Sequence, residues 1–338
     1  MAVRNGLPYL HETLRSVAEQ SYGNFELDVW DNGSTDGTIE LLREWIPNRI
    51  AGRIIDEAPL ALGESRAALV INARNELCAY LDADDILVPQ RLALGVAAMR
   101  SSPSLVAVGG QVDIIDQFGT PMDARWYHPL DDAEIRWRTH WKCCFCASTM
   151  LFRKSAALAA GNFRDRPRGI DQDLWLRLAR IGPLANLPNR LAFYRQHDRN
   201  LTASFENFLA TERGIASANA DSLFAGESPV SAMALWDDLY PSDHHHSVRP
   251  LRIGDLHRTA ISAARRIGER DDFFTTTSFF QHQRKYLWRN ITRTVLGLDV
   301  ATFERLDRLR SRFRLSGNMQ LPLRSKPSSG GDPSLRKQ

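Results

Sequence analysis

The sequence predicts an α/β fold, a mostly parallel sheet with helices on both faces, followed by a C-terminal helical region. Three observations predict it. Over about the first two hundred residues, short apolar runs alternate with segments of helical period. Those runs end in turns rich in Asp and Gly, the place where open α/β sheets hold their ligands. After about Phe205 the pattern is helical throughout.

The elements follow in order. Asn5 reads as a helix cap, with Pro8 in the first turn and Leu10, Leu14, Val17 and Ala18 on one face. Phe25 to Trp30 reads as a strand, ending in the polar turn Asp31-Asn32-Gly33-Ser34-Thr35-Asp36-Gly37. Ile39, Leu42, Trp45 and Ile46 form the next helical stripe, and Ile54-Ile55 a short strand. A helix reaches about Glu76. Cys78 to Leu81 is a strand that runs into Asp82-Ala83-Asp84-Asp85. Pro89 opens a helix to about Arg100, and Leu105 to Val108 is a strand. Asp131 to His140 is helical, Ser148 to Phe152 a strand, and Asp171 to Arg180 a helix with Leu174, Leu178 and Ile181 on one side. Leu191 to Arg195 is the last strand. This divides the chain into residues 1–204, an α/β domain; 205–316, a helical region; and 317–338, a Pro, Ser, Gly and Arg-rich tail with too little to bury for a fold. No internal repeat is visible.

Composition excludes several classes. With 338 residues, 43 % hydrophobic and 25 % charged, the chain is of globular type and long enough to bury a core. A net charge of +3 gives no argument for a nucleic-acid partner. The charge is uneven, however: from Ala301 to Gln338 nine Lys/Arg face three Asp/Glu, or +6. No apolar run reaches the ~18 residues a membrane span needs, and no secretion signal is visible. The expectation is a cytoplasmic protein whose basic tail leaves room for peripheral contact with an anionic membrane face. Cys78, Cys143, Cys144 and Cys146 lack both a disulfide framework and paired zinc spacing, and read as buried thiols. The helical region carries Trp236, Phe273, Phe274, Phe279, Phe280, Tyr286 and Trp288, read as core in preference to an acceptor surface. Arg305, Arg308, Arg310, Arg312 and Arg314 read as a solvated face, and His244-His245-His246 as a polar loop.

The chemistry concentrates in a few segments. Leu81-Asp82-Ala83-Asp84-Asp85 ends an apolar strand in three carboxylates, a crowding that a divalent hard cation, Mn2+ or Mg2+, would neutralise while bridging to phosphate oxygens. A solvated acidic turn is the alternative. Asp171 and Asp173 open a helix, where they either cap it or supply a general base. Asp31 is a turn residue or a hydrogen-bond acceptor for a nucleotide. His197 is a surface histidine or a metal ligand.

Taken together, these pieces resemble the family-2 glycosyltransferases of the GT-A fold. Asn5-Gly6-x-Pro8-Tyr9-Leu10 resembles the family's first loop and helix, and Ser16-Val17-x2-Gln20-Ser21-Tyr22-x2-Phe25-Glu26-Leu27 its helix and second strand. Asp31 to Thr38 is similar to "DDGSTDGT", with Asn32 at the second Asp. Asp82-Ala83-Asp84 is similar to the DxD motif, Asp171-x-Asp173-Leu174-Trp175-Leu176-Arg177 to the "EDYDLWLRL" helix, and Tyr194-Arg195-x-His197 to "YRxH". The likeness spans about residues 1 to 200. It implies an inverting, metal-dependent transfer of a sugar from a nucleotide-sugar donor to a glycan or lipid-linked acceptor, in surface polysaccharide or glycolipid assembly. It implies that Asp31 contacts the base or ribose and that Arg66, sixteen residues before Asp82, helps hold the donor. Asp82 falls at the ribose, Asp84 at the metal, and Asp171 at the acceptor hydroxyl as catalytic base. His197 completes the metal site or contacts the diphosphate.

Three departures stand out. Met1-Ala2-Val3-Arg4-Asn5-Gly6 begins inside the segment that the family precedes with about five apolar strand residues, so the natural start is expected upstream of Met1. Ile170 stands at the usual Glu, and Ala67 at the usual Asn. Three rival readings are a DxD phosphatase-like hydrolase, which Asp85-Ile86 after the motif disfavours, a non-catalytic nucleotide-sugar binder, and a nucleotidyltransferase, which lacks its Gly-rich basic loop here.

Overall fold

The computed structural model describes residues 1–200, except 56, 125, 141–142 and 167–168, together with residue 265. The helical region, the aromatic residues from Trp236 to Trp288, the histidine run, the arginine stretch and the basic tail lie outside the described residues.

The α/β class holds. In chain order the elements are β1 Ala2–Val3, α1 Leu10–Ala18, β2 Leu27–Asp31, α2 Thr38–Trp45, β3 Gly52–Ile55, α3 Leu62–Asn72, β4 Leu77–Ala79, β5 Ile86–Leu87, α4 Arg91–Ser101, β6 Ala107–Ile115, α5 Asp132–Thr139, a 3-10 turn Ala147–Thr149, β7 Leu151–Arg153, α6 Lys154–Ala159, α7 Ile170–Leu178 and β8 Leu184–Arg195.

The strands form two sheets. The first, β1-β2-β3, is wholly parallel. The second, β4-β7-β6-β8-β5, is mixed: β6 and β8 pair in parallel, while β7 lies antiparallel to β4 and β6, and β5 antiparallel to β8. It follows that β4, β6 and β8 run one way and deliver their carboxyl ends to one side. The parallel order expected from sequence is therefore complete in the first sheet and partial in the second. Of the reversed strands, β5 is two residues long, too short to show as a periodic run, while β7, three residues long, falls at the end of the strand expected from Ser148 to Phe152, whose direction no period reveals.

Several local expectations shift for physical reasons. Asn5 does not cap α1, whose first flanking residue is Tyr9. The Asn5 side chain instead accepts from the Thr35 amide at 2.8 Å, tying the loop after β1 to the turn after β2. Ala18 is exposed, and Thr13 and Ser16 take its place on the buried face. Ile181 is also exposed. The segment 148–152 divides into the 3-10 turn and β7, and α6 was not anticipated. Gly37 precedes α2 at φ +93°, a left-handed conformation that a side chain would strain.

The core follows from these faces. Leu10, Leu14 and Val17 of α1 pack with Val29 and Leu42. On the other flank Ile135, Leu174, Trp175 and Leu178 pack with Phe145, Phe152 and Phe163. Between β2 and β4, where no ladder joins the two sheets, lies a cavity of about 380 Å3 lined by Leu27, Val70, Leu77, Tyr80 and Leu92 among others. Met1 stands at its edge, its amino group donating to the Asp28 carbonyl at 2.7 Å. Burial pushes that amine down to about 6, against the pull of Asp28.

Among the described residues no helix is long and apolar enough to cross a membrane. The cysteines are buried or half-buried and unpaired by disulfides. Burial pushes the Cys78 thiol up to about 11, which keeps it protonated and inert.

Candidate active site

The acidic turn after β4 is held from several sides. Thr13 of α1 donates to the carbonyls of Ala83 and Asp85 at 3.0 and 2.9 Å. Arg91, buried at the start of α4, donates to the carbonyls of Tyr80 and Met150 at 2.9 and 2.8 Å. Arg195, at the end of β8, donates through Nε to the Asp84 carbonyl at 3.0 Å and pairs with Glu12. The turn thus sits in a rigid frame, as a site that must hold charge in place requires.

Within that frame the carboxylates have distinct surroundings. Asp82 accepts from Arg66 at 3.2 Å and from the Tyr80 hydroxyl at 2.9 Å. The Arg66 guanidinium also lies over the Tyr80 ring, 4.8 Å from its centroid. Asp84 turns toward β8, where its Oδ2 lies 3.0 Å from His197 Nε2 and 3.3 Å from Asn200 Nδ2. Burial raises the Asp84 carboxyl above its ordinary range, the Asp82 charge adds to this, and His197 opposes it. Asp85 is buried; its two oxygens accept from the Ser148 hydroxyl at 2.5 Å and the Arg195 amide at 3.0 Å.

His197 has a defined tautomer. Its Nδ1 accepts from the Arg199 amide at 3.1 Å, so the neutral ring carries its proton on Nε2 and donates it to Asp84. The ring stacks on Tyr9, centroids 4.6 Å apart, and the Arg195 guanidinium lies over the same tyrosine at 4.8 Å.

Asp171 opens α7. Burial raises its carboxyl above the usual range; the Arg66 charge and the Gln172 amide pull it back, and Asp82 pushes it up again. Asp171, Arg66 and Asp82 therefore share one electrostatic neighbourhood. Asp173, the second acid of the helix start, instead pairs with Arg177 at 2.6 Å and Arg166 at 3.3 Å, a structural role. Asp31 closes β2, 2 % exposed, with its carboxylate accepting from the Ser34 amide at 3.0 Å and hydroxyl at 2.5 Å. Asn32, at the departure from the family pattern, bonds Ser65 and the Leu60 amide, linking the turn to α3.

The structure thus brings Arg66, Asp82 and Asp171 into one neighbourhood, with Asp84 and His197 beside it, and places Asp31 at the carboxyl end of the neighbouring sheet. Tyr9, quoted above only as part of a motif, joins them, as do Tyr80, Ser148 and Asn200, which were not singled out. Tyr80 precedes the acidic turn and was findable by position; Ser148 and Asn200 belong to no motif.

The donor set suits a hard divalent cation. Asp82 and Asp84 lie two residues apart in one turn, and burial first and the Asp82 charge second raise the Asp84 carboxyl, a cost that such a cation would offset. Among the described residues, no three His, Cys, Asp or Glu side chains form a metal site by themselves.

Comparison with known proteins bears on the family and the fold. Residues 1–159 match the family described as Glycosyl transferase family 2. The amylovoran biosynthesis glycosyltransferase AmsE of Erwinia amylovora is 28 % identical over 184 residues, covering 54 % of this chain and 68 % of that protein. In fold, the chain is similar to Staphylococcus aureus TarS residues 1–349 in complex with UDP-GlcNAc, with a TM-score of 0.54, 13 % identity and coverage of 88 % of this chain and 90 % of that one. It is also similar to the mannosyltransferase PcManGT of Pyrobaculum calidifontis, in complex with GDP-Man and Mn2+, with a TM-score of 0.50, 16 % identity and coverage of 87 % and 85 %.

Proposed function

We propose, from the premise that this chain belongs to glycosyl transferase family 2, that it moves a sugar from a nucleoside-diphosphate donor to a hydroxyl of a glycan or lipid-linked acceptor, with inversion, in polysaccharide assembly. The observation that carries the reading is the convergence of Arg66, Asp82 and Asp171, with Asp84 and His197 alongside, at the carboxyl ends of β4 and β8. The donor complexes known for two proteins of like fold, and the polysaccharide role in the name of AmsE, support it.

In this reading each residue has a stated task. Asp31 accepts hydrogen bonds from the base or ribose. Asp82, held by Arg66 and Tyr80, faces the ribose side. Asp84 is the metal ligand, and His197, within 3.0 Å of the same carboxylate, either joins it or donates to the diphosphate. As a ligand through Nε2 the ring would have to exchange its tautomer, whereas as a donor it is already set. A bound Mn2+ or Mg2+ would offset the charge that builds on the leaving diphosphate.

Asp171 takes the proton of the acceptor hydroxyl as its oxygen attacks the anomeric carbon. The bond from that carbon to the diphosphate oxygen breaks on the opposite face, so one displacement inverts the centre. The burial that raises the Asp171 carboxyl makes it a stronger base, and Arg66 keeps it ionised.

The test is a screen of nucleotide sugars for Mn2+-dependent binding and transfer. At least one UDP-, GDP- or dTDP-sugar should bind and be turned over above a metal-free control. Binding without any turnover would favour the non-catalytic reading, and a folded protein indifferent to every donor and cation would end the proposal.

A further inference from the structure

We infer that Ser148 is the positioning residue that sets the spacing of Asp82, Asp84 and His197, acting through the buried carboxyl of Asp85. The inference rests on the proposed reading of Asp82 and Asp84 as the donor- and cation-facing groups.

Ser148 is fully buried in the 3-10 turn Ala147–Thr149. The turn is itself anchored: the Thr149 hydroxyl donates to the Cys146 carbonyl at 2.7 Å and accepts from the Gly110 amide of β6 at 3.2 Å. The Ser148 hydroxyl therefore projects from a fixed support.

That one hydroxyl makes two bonds of opposite sense. It accepts the Asp82 amide at 3.1 Å and donates to Asp85 Oδ2 at 2.5 Å. A serine hydroxyl has a single proton, so its direction is defined by this pairing. The other oxygen of Asp85 accepts from the Arg195 amide at 3.0 Å. Hydrogen bonds thus run without a break from the Asp82 backbone through Ser148 and Asp85 to Arg195, two residues before His197. Asp84 lies inside this loop, its carbonyl bonded by Arg195 and its carboxylate by His197.

Removing the hydroxyl would free the start of the acidic turn and leave a buried carboxylate oxygen without its donor. Both changes alter where Asp84 and His197 stand relative to Asp82, although Ser148 touches neither cation nor donor. Groups that orient metal ligands in this manner are worth roughly 10- to 100-fold in metal affinity.

The test is an electron paramagnetic resonance titration of Mn2+, with UDP and separately GDP as probes, on the whole chain. Wild type, Ser148→Ala, Ser148→Thr and Ser148→Cys are compared, with thermal melting as a control for folding. The expected result is that Ser148→Ala binds Mn2+ about 10-fold or more weakly, while Ser148→Thr, which keeps a hydroxyl, recovers most of the affinity. A folded Ser148→Ala with wild-type Mn2+ affinity overturns the inference, even if its melting temperature falls. Should Ser148→Ala not fold, Ser148→Cys, of similar size and a weaker donor, is judged by the same criterion. A folded wild type that takes up no Mn2+ with either probe overturns both the cation reading and this inference. Wild-type binding that Ser148→Ala leaves unchanged overturns this inference alone.

Discussion

At the scale of single residues, the site separates groups that announce themselves from groups that do not. Asp82 and Asp84 drew notice because carboxylates crowded at the end of an apolar run are chemically unusual, whereas Asp171, at a helix start where acids ordinarily cap, drew it through the family resemblance. Ser148 did not, because one of two adjacent hydroxyls between apolar residues looks like any core serine until the fold brings Asp82 and Asp85 to it. The roles can be tested separately. Asp171→Asn should retain donor binding, measured by calorimetry, and lower transfer at least about 100-fold. Asp84→Ala should lose the Mn2+-dependent part of donor binding while leaving the fold intact, because its carboxylate is partly exposed. The pH profile follows from burial. Because burial holds the Asp171 carboxyl above 3.8, its base form is lost as pH falls through that raised value. The acid limb of kcat against pH should therefore lie above the ordinary carboxylate range, and it should be absent from what activity remains in Asp171→Asn.

At the scale of elements, most helices and the short strands β3, β4 and β7 were readable, and β5 and α6 were not. α2 and α5 matched their expected spans closely, and α5 is capped by Asp131, whose side chain accepts from the Glu134 amide at 3.0 Å. By contrast β5 owes its existence to the longer β8 that pairs with it, which no local period can reveal. Contacts between elements also set what substitution permits. Gly63 of α3 packs so closely on the loop before α7 that an added Cβ would lie 2.5 Å from the Asp165 backbone. Gly63→Ala should cost roughly 1–3 kcal/mol in urea denaturation and move Arg66 away from Asp171. The first strand offers a second test. In a chain that begins at Met1, the buried amine titrates near 6 when folded and near 8.0 when unfolded. Between those values the unfolded state holds the extra proton, so stability should rise as pH climbs from about 6 to about 8. One residue added upstream converts the amine to an amide and should abolish that rise.

At the scale of the whole molecule, the class and the order of its parts were legible because alternating periods survive any rearrangement of strand order. The division into two sheets was not, since it depends on how far β1 runs beside its neighbours, and β1 is two residues long. This division has a consequence for the ligand. Asp31 stands at the carboxyl end of the middle strand of one sheet, whereas Asp82 and Asp84 follow a strand of the other, and among the described residues no backbone ladder spans the gap. A donor gripped at its nucleoside by the first and at its phosphates by the second would act as a cross-brace between two plates. Amide hydrogen exchange in β2 and β4 should then slow together on adding donor with Mn2+, and by far less with the nucleoside alone. At a hundredfold excess over Kd the brace would be worth about 2.7 kcal/mol to the folded state. The resting enzyme would be the looser form, and its substrate the last structural member to be put in place.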